Sequence, residues 1–357
     1  MTKTATKSTL ASIQALRGLA ALGVALAHLH AVEGKFGGAP LLGNWAIAGF
    51  AGVDLFFVIS GFVMVWVTRP YQGKPAALPV FWFARFMRVY PLWWLVLSAI
   101  VVVWMIQPAW VYSSHLTNPD ILRSYLLFPA KELPLHAVGW TLIHEVWFYI
   151  VFGILLLAPA RLFPVLLALW AAAVTSAALA FPKPLDPILG IIRHPLTLEF
   201  IMGAAGGFFA RRGRFFAPRL MLQFGSFFML LSIASIHANP SAAFGDEWTR
   251  VALFGVPAAI IIWGWVGLEC QQGATTPKWS QALGNWSYAL YLIHVPAFVA
   301  VGRLAAPLSR EGPIDNLALI IVALVVAIGA AFILHIGFER PVQGFAQRLL
   351  KRYKSAQ

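Results

Sequence analysis

Arg17 and His28 interrupt an apolar stretch, Leu10 to Ala31, that otherwise has the composition of a membrane span. A guanidinium and an imidazole inside a bilayer are costly, and such residues usually face a bundle interior and mark a functional path. Eleven residues separate them, about three turns and about 16 Å of rise, so both project from one helix face, one near each end. An imidazole titrating near neutral pH can take the proton of an attacking hydroxyl. A guanidinium can hold an anion. The pair points to chemistry carried out inside a membrane.

Other ionisable residues fall into depth order with these two. Asp54 lies about two turns into a second apolar segment, within Gly52-Val53-Asp54-Leu55-Phe56-Phe57, and Glu145 about two turns into a fourth, within Trp140-Thr141-Leu142-Ile143-His144-Glu145. Segment directions put His28, Asp54 and Glu145 in the same outer half of the bilayer, where the carboxylates would orient or charge-stabilise the histidine. They would otherwise cap helix ends or pair with a structural arginine. Arg85 and Arg88, three residues apart on one face, cluster with Arg17 toward the inner side. Paired arginines grip phosphate through forked hydrogen bonds, although basic residues flanking a span are also what topology alone requires. His294, midway along a ninth segment, is a candidate lining residue. Trp140 is a candidate stacking surface for a sugar ring. Glu339 and Arg340 read as a structural pair or gate at the inner end of the last span.

The elements that must position these residues follow from composition. Sixty per cent of the 357 residues are hydrophobic and 11% are charged, against roughly 25% charge in a soluble domain; mean hydropathy is +0.77. A span needs about 20 apolar residues. Ten segments qualify, near 10–30, 46–67, 89–107, 138–158, 162–181, 187–209, 220–237, 247–267, 285–305 and 314–335. They fill the chain, so the expectation is an all-α polytopic membrane helical bundle. It would form a single domain over 1–357, with a short basic tail from about 340 that frays at Lys354 to Gln357.

The net charge of +13 is explained by its placement. With ten spans and the N-terminus inside, Lys3, Lys7, Arg69, Lys74, Arg85, Arg88, Arg161, Arg211, Arg212, Arg214, Arg219, Lys278, Arg340, Arg348, Lys351, Arg352 and Lys354 fall on the cytoplasmic side. Only Lys35, Arg123, Lys131, Lys183, Arg193, Arg250, Arg303 and Arg310 fall outside. This is the positive-inside pattern, and it makes both termini cytoplasmic. No nucleic-acid partner is needed; membrane lipids and an anionic cytoplasmic cosubstrate are the expected partners. Arg17 breaks the apolar run and no small-x-small site follows, so the first segment reads as a retained span rather than a cleaved signal. Cys270 stands alone, which excludes an intrachain disulfide. No dinucleotide fingerprint, phosphate loop or zinc-binding helix motif occurs, and no metal is expected.

Several blocks carry a resemblance. Arg17-Gly18-Leu19-Ala20-Ala21-Leu22 leading to His28, then Gly52 to Phe62, then Arg85-Phe86-Met87-Arg88-Val89-Tyr90-Pro91 resemble the acyltransferase-3 family of membrane proteins. Trp140-Thr141-Leu142 leading to Glu145, Ser287-Tyr288-Ala289-Leu290-Tyr291-Leu292-Ile293-His294 and the closing Phe338-Glu339-Arg340-Pro341 continue the match in family order. The likeness spans essentially the whole chain and fits the short members without an added extracytoplasmic domain.

The resemblance implies an integral protein of the bacterial cytoplasmic (inner) membrane. It would transfer an acyl group, most simply acetyl, from acyl-coenzyme A to a hydroxyl of an exported polysaccharide or lipid-linked saccharide. On this reading His28 is the general base, with Glu145 and Asp54 in support. Arg17, Arg85 and Arg88 hold acetyl-coenzyme A, and His294 and Trp140 contact substrate. The rival expectation is a proton-coupled transporter or flippase of lipid-linked saccharide, since intramembrane His, Asp and Glu also serve as proton relays. Such transporters often show two related halves, and no internal symmetry is visible here.

Overall fold

The computed structural model describes residues 10–37, 41–111, 119–182, 186–241, 246–308 and 312–355. Lys3, Lys7, Lys183 and Arg310, placed above by charge alone, lie outside the described residues, as do the side chains of Arg69 and Lys354. The described residues are mostly helical, without strands. Its helices are α1 (Ala11–Phe36), α2 (Ala51–Thr68), α3 (Leu78–Ile106), α4 (Ile121–Leu126), α5 (Gly139–Leu155), α6 (Phe163–Ala180), α7 (Pro187–Ile192) and α8 (Thr197–Ala210). There follow α9 (Pro218–Ala238), α10 (Glu247–Arg250), α11 (Val256–Gln272), α12 (Lys278–Ala305), α13 (Pro313–Leu334) and α14 (Arg340–Ser355).

The centre of the bundle is the seam between α1 and α12. Gly18 meets Gly284, His28 meets His294 and Phe36 meets Gly302, always with the same offset of 266 residues, so the two helices run parallel and in register. Gly284 permits the contact: a Cβ there would sit 1.9 Å from the Gln14 carbonyl oxygen. A second close crossing joins α2 to α8, where a Cβ on Gly61 would lie 1.9 Å from the Phe200 carbonyl oxygen and one on Gly203 equally close to that of Val58. Small residues at such crossings let backbones approach where lipid supplies no hydrophobic drive.

The parallel seam also counts the crossings. Among the described residues nine helical stretches are long and apolar enough to cross a membrane, and α5, with 17 residues, is a shorter apolar helix. α12 is the ninth apolar stretch if α5 crosses and the eighth if it does not, and only odd stretches run parallel to the first. α5 therefore crosses, which gives ten. At the far end of α1, Asn316 Nδ2 at the start of α13 donates to Glu33 Oε1 at 2.8 Å. α13 thus returns to the end of the bundle where α1 begins.

Two expectations about element ends change. The third span was read as starting near 89, but α3 begins at Leu78, with Pro79 in its first turn where a missing N–H costs nothing. Arg85 and Arg88 consequently project from within a 29-residue helix rather than from a flanking loop. The short basic tail expected from about 340 is the helix α14, continuous with α13 through a π turn at His335–Glu339. A second π turn, Val251–Gly255, joins α10 to α11. Each π turn touches an ion pair with a buried carboxylate: Glu339 closes one turn and Arg250 immediately precedes the other. A widened turn re-aims side chains, which is why such turns recur at functional sites.

Candidate active site

His28 and His294 face each other across the α1–α12 seam, with ring centroids 4.9 Å apart and His294 Nε2 3.2 Å from His28 Nδ1. Backbone carbonyls fix the tautomers. His28 Nδ1 lies 2.9 Å from the Val24 carbonyl and His294 Nδ1 lies 3.0 Å from the Leu290 carbonyl. A carbonyl only accepts, so in the neutral rings both Nδ1 atoms carry the proton. His294 Nε2 then offers a lone pair to the His28 Nδ1–H, which it shares with Val24. Among the described residues no hydrogen bond reaches His28 Nε2, so its lone pair is open, the state a general base requires. Phe50 packs edge-on against the His28 ring at 4.9 Å.

A third imidazole belongs to the same neighbourhood. His136, in the connector before α5, places Nε2 2.8 Å from the Leu292 carbonyl and stacks on Trp93 at 5.7 Å. Burial pushes it down to about 4, so it stays neutral and its Nε2–H holds α12 in place. Sequence reasoning passed over it because it lies outside every apolar run.

Below the histidines, Arg17, Arg85, Arg88 and Glu145 line one cavity of about 120 Å³, together with Ser60, Tyr149, Ser287, Tyr288 and Tyr291. Ser60 Oγ donates to Glu145 Oε1 at 3.0 Å, and the Tyr149 hydroxyl donates to the same oxygen. Arg88 pairs with Glu339, which also accepts from Gln343 Nε2 at 3.0 Å and meets His335 Nδ1 at 2.8 Å. The Arg85 guanidinium lies over the rings of Phe81 and Tyr149, and its buried Nε has no hydrogen-bond partner. Among the described residues Arg17 has one side-chain hydrogen bond, 3.3 Å to Gln14, and no carboxylate within ion-pair distance. The buried Ser287 hydroxyl is also without a partner. Three guanidiniums face two carboxylates, so the cavity is cationic and its orphaned donors call for a ligand rich in acceptor oxygens.

Several sequence-derived groupings are rearranged. Glu145 sits in the arginine cavity, not against His28. Asp54, fully buried, forms a two-pronged pair with Arg250, 2.7 Å from Oδ2 to Nη2 and 3.2 Å from Oδ1 to Nε, and does not touch His28 either. Glu339 pairs with Arg88 rather than with its neighbour Arg340, which is exposed. His294, read as a lining residue, contacts the candidate base directly. Trp140 lies outside the cavity wall and carries the Arg250 guanidinium at 5.9 Å, with His144 edge-on at 5.7 Å.

The reason for the changes is long-range pairing. Depth along a helix, which sequence gives, says nothing of the angle around it. Arg250 had been placed outside by charge counting, yet a buried carboxylate such as Asp54 demands a cation. That demand was the available signal. A second buried carboxylate, Glu199, and the ring pair His144–His194, 4.4 Å apart, extend this cluster away from the cavity. Among the described residues no group of three or more His, Cys, Asp or Glu side chains could hold a metal ion.

Over most of its length the chain is similar to known proteins. A family model described as "Acyltransferase domain", that of acyltransferase-3, matches residues 10–336. The exopolysaccharide production protein ExoZ of Rhizobium meliloti is 30% identical over 88% of this chain and 96% of its own. The acyltransferase MdmB of Streptomyces mycarofaciens is 28% identical over 96% of this chain and 93% of its own. The peptidoglycan O-acetyltransferase OatA of Listeria monocytogenes is 27% identical over 40% of this chain and 20% of its own. No solved structure matches.

Proposed function

This chain belongs to the acyltransferase-3 family of membrane acyltransferases, and we propose that it moves an acyl group, acetyl in the simplest case, from acyl-coenzyme A to a hydroxyl of an exported carbohydrate. The observation that carries the reading is the free lone pair on His28 Nε2, set about 16 Å along α1 from an unpaired Arg17. That separation suits an extended pantetheine arm. Arg17, Arg85 and Arg88 hold the phosphate-bearing part of the donor at the inner mouth of the cavity. At about 120 Å³ the cavity is well below the roughly 300–1,000 Å³ of ordinary ligand pockets, so it admits a thin chain and not a nucleotide. The unpartnered Ser287 hydroxyl, between the levels of Arg17 and His28, is available to an amide of that arm.

The chemistry balances on one imidazole. His28 Nε2 takes the hydroxyl proton as the oxygen attacks the thioester carbonyl, and the tetrahedral oxyanion collapses by breaking the C–S bond. The imidazolium returns the proton to the departing thiolate, giving ester and free thiol. His294 keeps Nδ1 of His28 protonated and Nε2 free, and helps to carry the transient positive charge. Glu145 organises the arginine cavity, and Asp54 holds Arg250 beside Trp140 on the acceptor side. The carbohydrate acceptor is supported by the relatives' names, which concern exopolysaccharide and peptidoglycan.

Purified protein given labelled acetyl-coenzyme A should release coenzyme A in step with appearance of labelled carbohydrate. Saccharide movement across a vesicle without coenzyme release would assign the buried His and carboxylates to transport instead.

A further inference from the structure

α14 starts past residue 336, where the family model's match ends, and has a face that the transfer reaction does not use. Its sequence, Arg340 to Ser355, carries five basic residues and no acidic one. At 100° per residue, Arg340, Arg348, Lys351 and Arg352 fall within an arc of about 120°, and Val342, Phe345, Ala346, Leu349, Leu350 and Tyr353 fill the next arc of about 140°. Ala346 is buried against the bundle, while Phe345, Leu349 and Tyr353 are exposed. Gln343 donates to Glu339 and anchors the helix at its start.

Position supplies the rest. α13, with 22 residues, rises about 33 Å, enough to fill a hydrocarbon core of about 30 Å, so the turns that follow stand at headgroup depth. There a groove is lined by Ile336, Arg340, Pro341, Gly344 and Arg348. The two arginines are two turns apart, about 12 Å, and Gly344 between them has nothing within 4 Å of where a Cβ would be. Just below, Phe332 and Ile333 on α13 and Ile336 in the π turn are exposed. An apolar track ending in two arginines around a clear space matches a phospholipid: acyl chain on the isoleucines, phosphate between the guanidiniums.

We propose that this groove is a binding site for the headgroup of an anionic phospholipid, held by Arg340 and Arg348. Neighbouring basic residues near a membrane surface each add attraction to anionic lipid, and the apolar arc of α14 seats the helix as interfacial helices do. A zwitterionic lipid brings its own cation to the arginines and is disfavoured.

The test uses full-length protein in nanodiscs of equal parts phosphatidylglycerol and phosphatidylcholine, released into detergent and examined for retained lipid by native mass spectrometry. Wild type should retain phosphatidylglycerol over phosphatidylcholine. R340Q/R348Q should lose that preference by roughly an order of magnitude. R340K/R348K should keep most of it, and R212Q/R214Q, on another loop, should match wild type. Equal retention of both lipids by wild type, or an undiminished preference in R340Q/R348Q, would overturn the site. Displacement of the lipid by inorganic phosphate alone would also overturn it, by showing a free-anion site.

Discussion

The Nε2 atom of His294 lies 3.2 Å from Nδ1 of His28, across a helix seam that keeps one offset over its length. The two residues act as a unit: one presents the lone pair, the other fixes which nitrogen presents it. His28→Ala should therefore abolish transfer, by about 10² to 10⁴ as for loss of a general base, with unchanged insertion and thermal stability. His294→Ala should leave donor KM in place and lower kcat, by about 10² at most, the cost of a misplaced catalytic group. Near-normal product formation by His28→Ala would end the general-base assignment.

Arg85 and Arg88 should separate, although they share a helix face. Arg85 has no ion-pair partner among the described residues, so Arg85→Gln should raise donor KM by about tenfold or more, the worth of a charge-assisted hydrogen bond, without loss of stability. Arg88 is paired with Glu339, so Arg88→Gln should also lower thermal stability, because the carboxylate is stranded. Salt should weaken donor binding more in wild type than in Arg85→Gln. Equal, purely kinetic effects from both substitutions would contradict the pairing.

Asp54 and Arg250 should behave as a structural pair. Asp54→Asn alone should destabilise by about 3–5 kcal/mol, as when one partner of a buried pair is removed. The double variant Asp54→Asn/Arg250→Gln should recover part of that loss. Thermal denaturation in detergent measures both. A stable Asp54→Asn with lost kcat would return Asp54 to direct catalysis.

Gly284→Ala should push α1 from α12, since its Cβ would meet the Gln14 carbonyl at 1.9 Å. Overpacking of this kind costs about 1–3 kcal/mol, and here it should lower kcat too by shifting His294 from His28. Gly329→Ala, with open space around it, is the control. Identical melting temperatures and rates for the two would mean the seam is not tight.

How much of this was legible in sequence divides along one line. Apolar runs give spans and depth, so the helical bundle, the Arg17–His28 spacing and the shared face of Arg85 and Arg88 are readable locally. Rotation about each helix is not, because the membrane spans are apolar nearly all round and offer little amphipathic bias. Glu145 was thus assigned to the histidine and belongs to the arginines. For Asp54 the sequence leaves a histidine partner and a structural arginine both open, and only the fold identifies that arginine as Arg250, 196 residues away. His294 was read as a cavity residue and instead touches the base, a contact visible only once α1 and α12 are known to be neighbours.

The most direct test of the central claim uses proteoliposomes of known orientation, with labelled acetyl-coenzyme A supplied on the side of the basic loops and carbohydrate on the other. Coenzyme A should be released on the basic-loop side and acetylated carbohydrate should appear opposite, with neither product formed by His28→Ala. Both products on the basic-loop side, or undiminished transfer by His28→Ala, would contradict the account.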